Sequence, residues 1–380
     1  MADRQVAEVF PPGDFIKEEL DARGWTQNDL AEILARPPRL VSELISAKRA
    51  VSPETAKGLG EAFGTGAQFW MNLESAYQLA RTENQDPAVS KRARLYGKAP
   101  VKEMLRRNWI EPSDDIDALE RQVVQFFQID SIHEQPKLRA HAARKSASYG
   151  EVTSAQLAWL YRCRHLAKAV MAGHYSDHSV DEALKKIRPL LLNLPDTRLL
   201  AKTLADCGIR FLVVEALPHT KVDGVCFWSD RSSPVIVVTL RYDRVDGFWH
   251  TVIHELAHVK YKDGLDEIAI DTELIGDQVK VGELKPEQEM KADQFACEYL
   301  IPAAELDYFI ARVRPLYSKD RIRGFAKRIG VHPGIVVGQL QHRGEIGYAH
   351  NREMLEKVKH VVTKTALTDG WGNAPVVHAA

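Results

Sequence analysis

The 380-residue sequence is sparing with cysteine, with long apolar runs and with net charge. Cys163, Cys207, Cys226 and Cys297 are its 4 cysteines. They are scattered and nowhere spaced C-x-x-C, which excludes a disulfide framework and suits buried thiols in a reducing cytosol. No apolar run reaches membrane-spanning length, so no membrane partner is expected. The opening Met-Ala-Asp-Arg-Gln lacks the charged-then-apolar build of a signal peptide, and a cytoplasmic location follows as an expectation. A formal charge of -1 excludes a molecule that binds nucleic acid by bulk electrostatics. The hydrophobic content of 45% is ordinary for a globular chain, and the length suggests two or three domains.

What is present begins with His254-Glu255-Leu256-Ala257-His258. On a helix, residues i and i+4 lie one above the other, so two imidazoles at that spacing can grip one metal ion. The intervening Glu255 can take a proton from water activated at the metal. Pro234 to Leu240 is β-branched and apolar and reads as a buried strand leading into this helix. Strand followed by metal-binding helix is the zincin layout.

Two histidines need a third protein ligand to leave an open position. The metzincin extension is absent, because Tyr261 and Gly264 stand where its Gly and third His should be. Downstream, Pro286 to Pro302 reads as a helix bounded by prolines, with Ala292, Phe295, Ala296, Tyr299 and Leu300 on its buried side. Glu289 and Asp293 share one face four residues apart. Glu289 would complete a His₂Glu zinc site, and Asp293 could accept the free N–H of a ligating His.

These residues carry a family resemblance. His-Glu-Leu-Ala-His, then Glu-Met-Lys-Ala-Asp-Gln-Phe-Ala and a terminal Leu-Ile-Pro, resemble the ImmA/IrrE family of bacterial zinc metallopeptidases from about Ile209 to Leu340. Lys262 and Asp263 stand where many members carry a further His, so no fourth ligand is assigned. The resemblance implies Zn²⁺ as cofactor and a narrow protein substrate, such as a repressor, a toxin partner or the chain's own linker.

The N-terminal 82 residues read as five short helices. Asp14–Arg23 ends at Gly24, Thr26 caps the next, Pro37-Pro38 opens a third, Ser52-Pro53 starts a fourth, and Phe69, Trp70, Leu73 and Tyr77 mark a fifth. That spacing is a helix-turn-helix with the third helix as reader. Pro12 to Leu79 resembles the HigA-type antitoxins, a branch of the Xre-like DNA-binding domains, through Gly-Trp-Thr-Gln-Asn-Asp-Leu-Ala, Ser-Glu-Leu-Ile and Phe-Trp-Met-Asn-Leu. By position Arg39 and Ser42 would face base edges, and Arg36, Lys48 and Arg49 would meet phosphates. Three departures stand out: Ala35 replaces the turn glycine, Pro37-Pro38 replaces a polar helix start, and Leu40 replaces a small polar residue. Residues 1–82 hold nine basic against twelve acidic residues, which is not the basic footprint of a strong DNA binder.

The expected organisation is a helix-turn-helix domain over 1–82, a basic linker and helical region over 83–204, a peptidase domain over 205–350, and a C-terminal helix and flexible tail over 351–380. The fold class is mainly α with a small α+β zincin-like core. A small antiparallel sheet, from strands near 209–214, 224–228 and 235–240, is expected to pack on the two metal-binding helices. Most of the acid-rich stretch from Asp263 to Asp293 reads as a mobile loop between those helices. Arg321–Gly330 and His332–His342 mimic a second helix-turn-helix, with packing the better reading. His332, His342, Tyr317 and Tyr348 are candidates to polarise the scissile carbonyl.

The expected function is a DNA-binding zinc metallopeptidase acting on a specific regulatory protein, with homodimers formed through the N-terminal domain. The alternative is a HigA-like antitoxin and autorepressor, binding a toxin partner, whose zinc domain is a scaffold or sensor.

Overall fold

The computed structural model describes residues 9–82, 87–136, 152–263, 265, 270–272 and 287–370. The chain divides into two compact units, Met1–Lys91 and Arg92–Ala380. Each has its own apolar core.

The first unit contains helices α1 (Pro12–Arg23), α2 (Gln27–Ile33), α3 (Pro38–Ile45), α4 (Pro53–Phe63) and α5 (Ala67–Arg81). Their ends follow from local chemistry. Thr26 and Asp29 form a reciprocal capping box on α2. The turn after α2 closes with Arg36 N–H donating to Ala31 O (2.9 Å) and Ala35 N–H to Glu32 O (3.0 Å). This is a Schellman closure, and it puts Ala35 at φ 51°, the conformation that glycine holds without strain. Ile16, Leu30, Val41, Leu59 and Trp70 fill the core.

The second unit begins in α6 (Pro87–Lys98) and continues through α7 (Val101–Arg106), α8 (Ile116–Phe127), α9 (Ser154–Ala167), α10 (Ser179–Ile187) and α11 (Leu200–Asp206). Then come β1 (Arg210–Val213), β2 (Val222–Trp228), β3 (Pro234–Val238), α12 (Val245–Tyr261), β4 (Ile270–Thr272) and α13 (Glu287–Leu300). The chain ends with α14 (Ala303–Val313), α15 (Lys319–Ile329), α16 (Pro333–His342), α17 (Lys359–Val362) and β5 (Leu367–Thr368). Among the described residues no helix is long and apolar enough to cross a membrane.

The fold is mainly helical around a small sheet, with one difference from expectation. The sheet is mixed, in the order β4-β2-β3-β1-β5. β2 runs antiparallel to β3, but β1 is parallel to both β3 and β5. Strand direction alternates along β1, β2 and β3 as in a meander. The β2–β3 hairpin turns so that β3 lies inside, beside β1, and two strands running the same way become neighbours. β3 is buried throughout, which its unbroken apolar run reflects.

Two more expectations change. The basic stretch after residue 83 is helical where described, and Leu95, Ala99, Val101 and Met104 are buried. Arg107 is buried too, donating to the carbonyls of Glu215 (2.7 Å) and Ala216 (2.8 Å). It is therefore a packed segment rather than an open linker. Thr368, inside the stretch expected to hold a C-terminal helix and flexible tail, is the last residue of β5 and pairs with Val213. The remaining tail, 371–380, and most of the acidic loop between the metal helices lie outside the described residues. α16 is buried over most of its length, in keeping with the expected packing rather than with a second helix-turn-helix.

Candidate metal centre

α12 is the central helix of the second unit, and every residue from Val245 to Val259 except His250 is buried. Asp246 lies in its first turn, and Lys262 at φ 61° ends it. The core therefore holds both sides of the helix, and His254 (0% exposed), Glu255 (0%) and His258 (4%) are fixed within it. α13 crosses this face and brings Glu289, 5% exposed.

Three donor atoms converge. His254 Nε2 and His258 Nε2 lie 3.0 Å apart. Glu289 Oε2 is 3.2 Å from His254 Nε2, and its Oε1 is 3.5 Å from His258 Nε2. Ligands on a tetrahedral ion at 2.0–2.1 Å are separated by about 3.3 Å. The three side chains thus present donors at the spacing of one ion's coordination sphere, and this His–His–Glu group is buried. Two neutral imidazoles and one carboxylate form a donor set suited to zinc.

Behind the donors stand two carboxylates. Asp293 Oδ1 lies 3.0 Å from His254 Nδ1. Asp263 Oδ2 lies 3.0 Å from His258 Nδ1. The first contact follows from the i,i+4 spacing on α13. The second was missed by the sequence reading, which weighed Asp263 only as a ligand. Its signal was there: Asp263 follows a helix end, and its N–H returns to His258 O (2.9 Å) through the left-handed turn at Lys262.

Glu255 does not belong to the donor group. Its carboxylate lies against the backbone of Gly224 on β2, where a Cβ would overlap Glu255 Oε1 and sit 2.9 Å from Thr251 Cγ2. Gly224 is the necessary residue here because only a bare Cα leaves room for the carboxylate.

The candidates for the carbonyl-polarising role separate. His332 caps α16, accepting from Gly334 N–H (3.1 Å), and its Nε2 is 3.1 Å from Glu356. Burial lowers its pKa. The Tyr317 hydroxyl donates to Glu345 Oε2 (2.6 Å). Its pKa is pushed up to about 12, first by burial and then by that carboxylate. His342 and Tyr348 instead line a cavity with His250, Cys297 and Gln339, one helical turn from His254.

In the first unit the residues expected at DNA are exposed, but their charges are shared. The Arg39 guanidinium, 88% exposed, donates to Glu43 Oε1 (2.7 Å), and Arg49 Nε lies 3.3 Å from Glu43 Oε2. Arg36 pairs with Glu54. Ser42 and Lys48 are exposed. Glu43 therefore ties together one residue expected at bases and one expected at phosphates, which the count of charges does not reveal.

Fold and site together define a helix-turn-helix protein with a second domain carrying a buried His–His–Glu group. The family comparisons agree. The model of the IrrE N-terminal-like domain, peptidase M78, matches residues 208–341, and a helix-turn-helix model matches residues 16–70. The chain belongs to the helix-turn-helix regulators through its N-terminal domain and carries an ImmA/IrrE-like M78 peptidase domain after it. The uncharacterized HTH-type transcriptional regulator YddM of Escherichia coli (strain K12) is 36% identical over 72 residues, covering 19% of this chain and 77% of that protein. Virulence-associated protein I of Dichelobacter nodosus is 31% identical over 90 residues, 23% of this chain and 83% of its own. A Pseudomonas aeruginosa protein crystallised with its operator DNA is 28% identical, with a TM-score of 0.20, covering 28% of this chain and 98% of that one.

Proposed function

We propose that the chain is a DNA-binding, zinc-dependent endopeptidase that cuts a specific regulatory protein: a repressor, a toxin partner or the chain itself. The observation that carries this reading is Glu255, a fully buried carboxylate beside the His–His–Glu group and outside it. A site that only stored an ion would need donors and no such neighbour. When bound, zinc supplies Lewis-acid chemistry to a peptide carbonyl and to water.

His254, His258 and Glu289 would hold the ion. Asp263 accepts the Nδ1–H of His258, and Asp293 Oδ1 stands 3.0 Å from His254 Nδ1, an arrangement that would turn each Nε2 lone pair toward the donor group. Glu255 takes the proton of the attacking water and returns it to the leaving amine nitrogen. The surrounding core excludes bulk water and holds these side chains in one arrangement.

The N-terminal domain binds operator DNA as a homodimer in the cytoplasm. Arg39 and Ser42 reach base edges, and Arg36, Lys48 and Arg49 meet phosphates. The names of the curated relatives, which match this domain, support a regulatory role. A transcriptional regulator is also what the second reading makes of the chain: an antitoxin-like autorepressor whose zinc domain is a scaffold.

One experiment separates the two. Full-length chain and its Glu255→Gln variant are incubated with cell lysate, with and without a chelator, and new protein termini are read by mass spectrometry. The glutamine keeps size but accepts no proton, so cleavage should fall by about 10²–10⁴ or more with metal content unchanged. Equal cleavage by both chains points to a contaminating protease. Equal operator repression with no cleavage by either leaves the scaffold reading.

A further inference from the structure

Glu255 faces Gly224, and Gly224 lies in β2, which has β3 along one side. An extended peptide that pairs with β2 at Gly224, and so passes next to Glu255, must come along the other side of β2. There a chain gains main-chain hydrogen bonds from the sheet edge, about 4.8 Å from its neighbour. Residues Ile270–Thr272 occupy that edge. They run antiparallel to β2, with Asp271 opposite Gly224, Ile270 opposite Val225 and Thr272 opposite Val222.

The chain is led there from the metal helix. Trp228, at the end of β2, donates from Nε1 to the Asp263 carbonyl (3.0 Å). Asp263, just past the end of α12, thus lies at the Trp228 end of β2, and β4 runs from beside Val225 to beside Val222. The pairing is short, three residues against the usual five or six, and its register shifts between Val222 and Gly224. A short and irregular ladder is one that another strand can replace.

Resting on the peptidase reading, we propose that Ile270–Thr272 is a resident strand in the substrate's place, and that an extended polypeptide binds beside Glu255 by displacing it. The substrate is then a segment that offers its main chain: an unfolded region, a terminus or a long loop. The exchange makes and breaks hydrogen bonds only. Apparent substrate affinity is reduced by the fraction of chains whose edge is filled.

Two proline variants test this in the full-length chain. Alternate residues of a strand turn their amides to opposite sides, so Asp271→Pro and the double variant Ile270→Pro/Thr272→Pro together cover both sets. The probe is fluorescein-labelled β-casein, a disordered polypeptide. On a Glu255→Gln background, the variant that breaks the β4 ladder should bind it at least ~10-fold more tightly by anisotropy. With Glu255 present the same variant should cut it faster. A measurement without proline substitutions runs alongside: saturating β-casein on the Glu255→Gln chain should speed amide hydrogen exchange at Ile270–Thr272 while β2 stays protected. Unchanged binding in both proline variants, or unchanged exchange at 270–272 with casein bound, overturns the inference. Tighter binding without cleavage by any chain leaves the resident strand and sinks the peptidase reading. Equal cleavage by wild type and variants does the reverse.

Discussion

Gly224 and Glu255 touch, backbone of strand against carboxylate of helix, in a packed interior with no space for a methyl group between them. Gly224→Ala should therefore push the carboxylate aside or shift β2. The loss in peptide hydrolysis should approach that of Glu255→Gln, about 10²-fold or more, because a general base works only within hydrogen-bond reach of its proton. Metal content by atomic absorption should stay within a factor of two of wild type, since none of the three donors is touched. Full activity in this variant would mean that the carboxylate is not held where the reaction needs it.

The donor assignment makes a graded prediction. Glu289→Gln should lower zinc retention by orders of magnitude after dialysis against a weak chelator, while Glu287→Gln, an exposed neighbour on the same helix, should not. Asp293→Ala and Asp263→Asn should each cost about 10–100-fold in affinity, because they orient imidazoles rather than contact the ion. If Asp263→Asn retained zinc as wild type does, the 3.0 Å contact to His258 would have no role in metal binding.

For DNA, the shared carboxylate of Glu43 gives an unusual sign. Glu43→Gln removes the partner of both Arg39 and Arg49, so binding of the full chain to its promoter should strengthen a few-fold at low salt. Arg39→Ala should weaken the preferred site by about tenfold or more and relax base preference, whereas Lys48→Ala should weaken every sequence alike. Gel retardation over a salt series checks all three. Weaker binding by Glu43→Gln would place these arginines away from the DNA.

One histidine outside the metal site sets an acid limit on stability. His165 packs edge-on to Phe126, ring centroids 5.0 Å apart. Burial, helped by Lys168, Arg162 and Arg164, holds its pKa at about 4, against 6.5 when exposed. The unfolded chain therefore binds the proton first, and this contribution to stability is complete above pH 6.5 and lost as pH falls towards 4. His165→Phe keeps a ring and removes the proton. Urea unfolding across pH 4–7 should show a flatter slope for the variant, by up to about one proton per chain. Parallel curves would show that His165 titrates alike in both states.

The local grammar of this chain was legible in one dimension. Thr26, Ser52 and the prolines at helix starts act on their own backbone within three residues, so α1 to α5 were readable in order. The His254–His258 pair and the Glu289–Asp293 pair were readable for the same reason, since helical period alone puts each on one face. What escaped depends on which distant segments meet. The order of strands in the sheet is a matter of how a hairpin docks, and alternating direction along the chain does not specify it. Arg107 looked like a solvated linker charge because its acceptors, the carbonyls of Glu215 and Ala216, lie more than a hundred residues away. Gly224 looked like any strand glycine until Glu255 was packed against it. Asp263 became a partner of His258 only once the helix ended in a left-handed turn. Periodicity and capping are properties of neighbours in sequence, whereas register, desolvation and carboxylate–imidazole pairing arise when the core closes and brings far residues into contact.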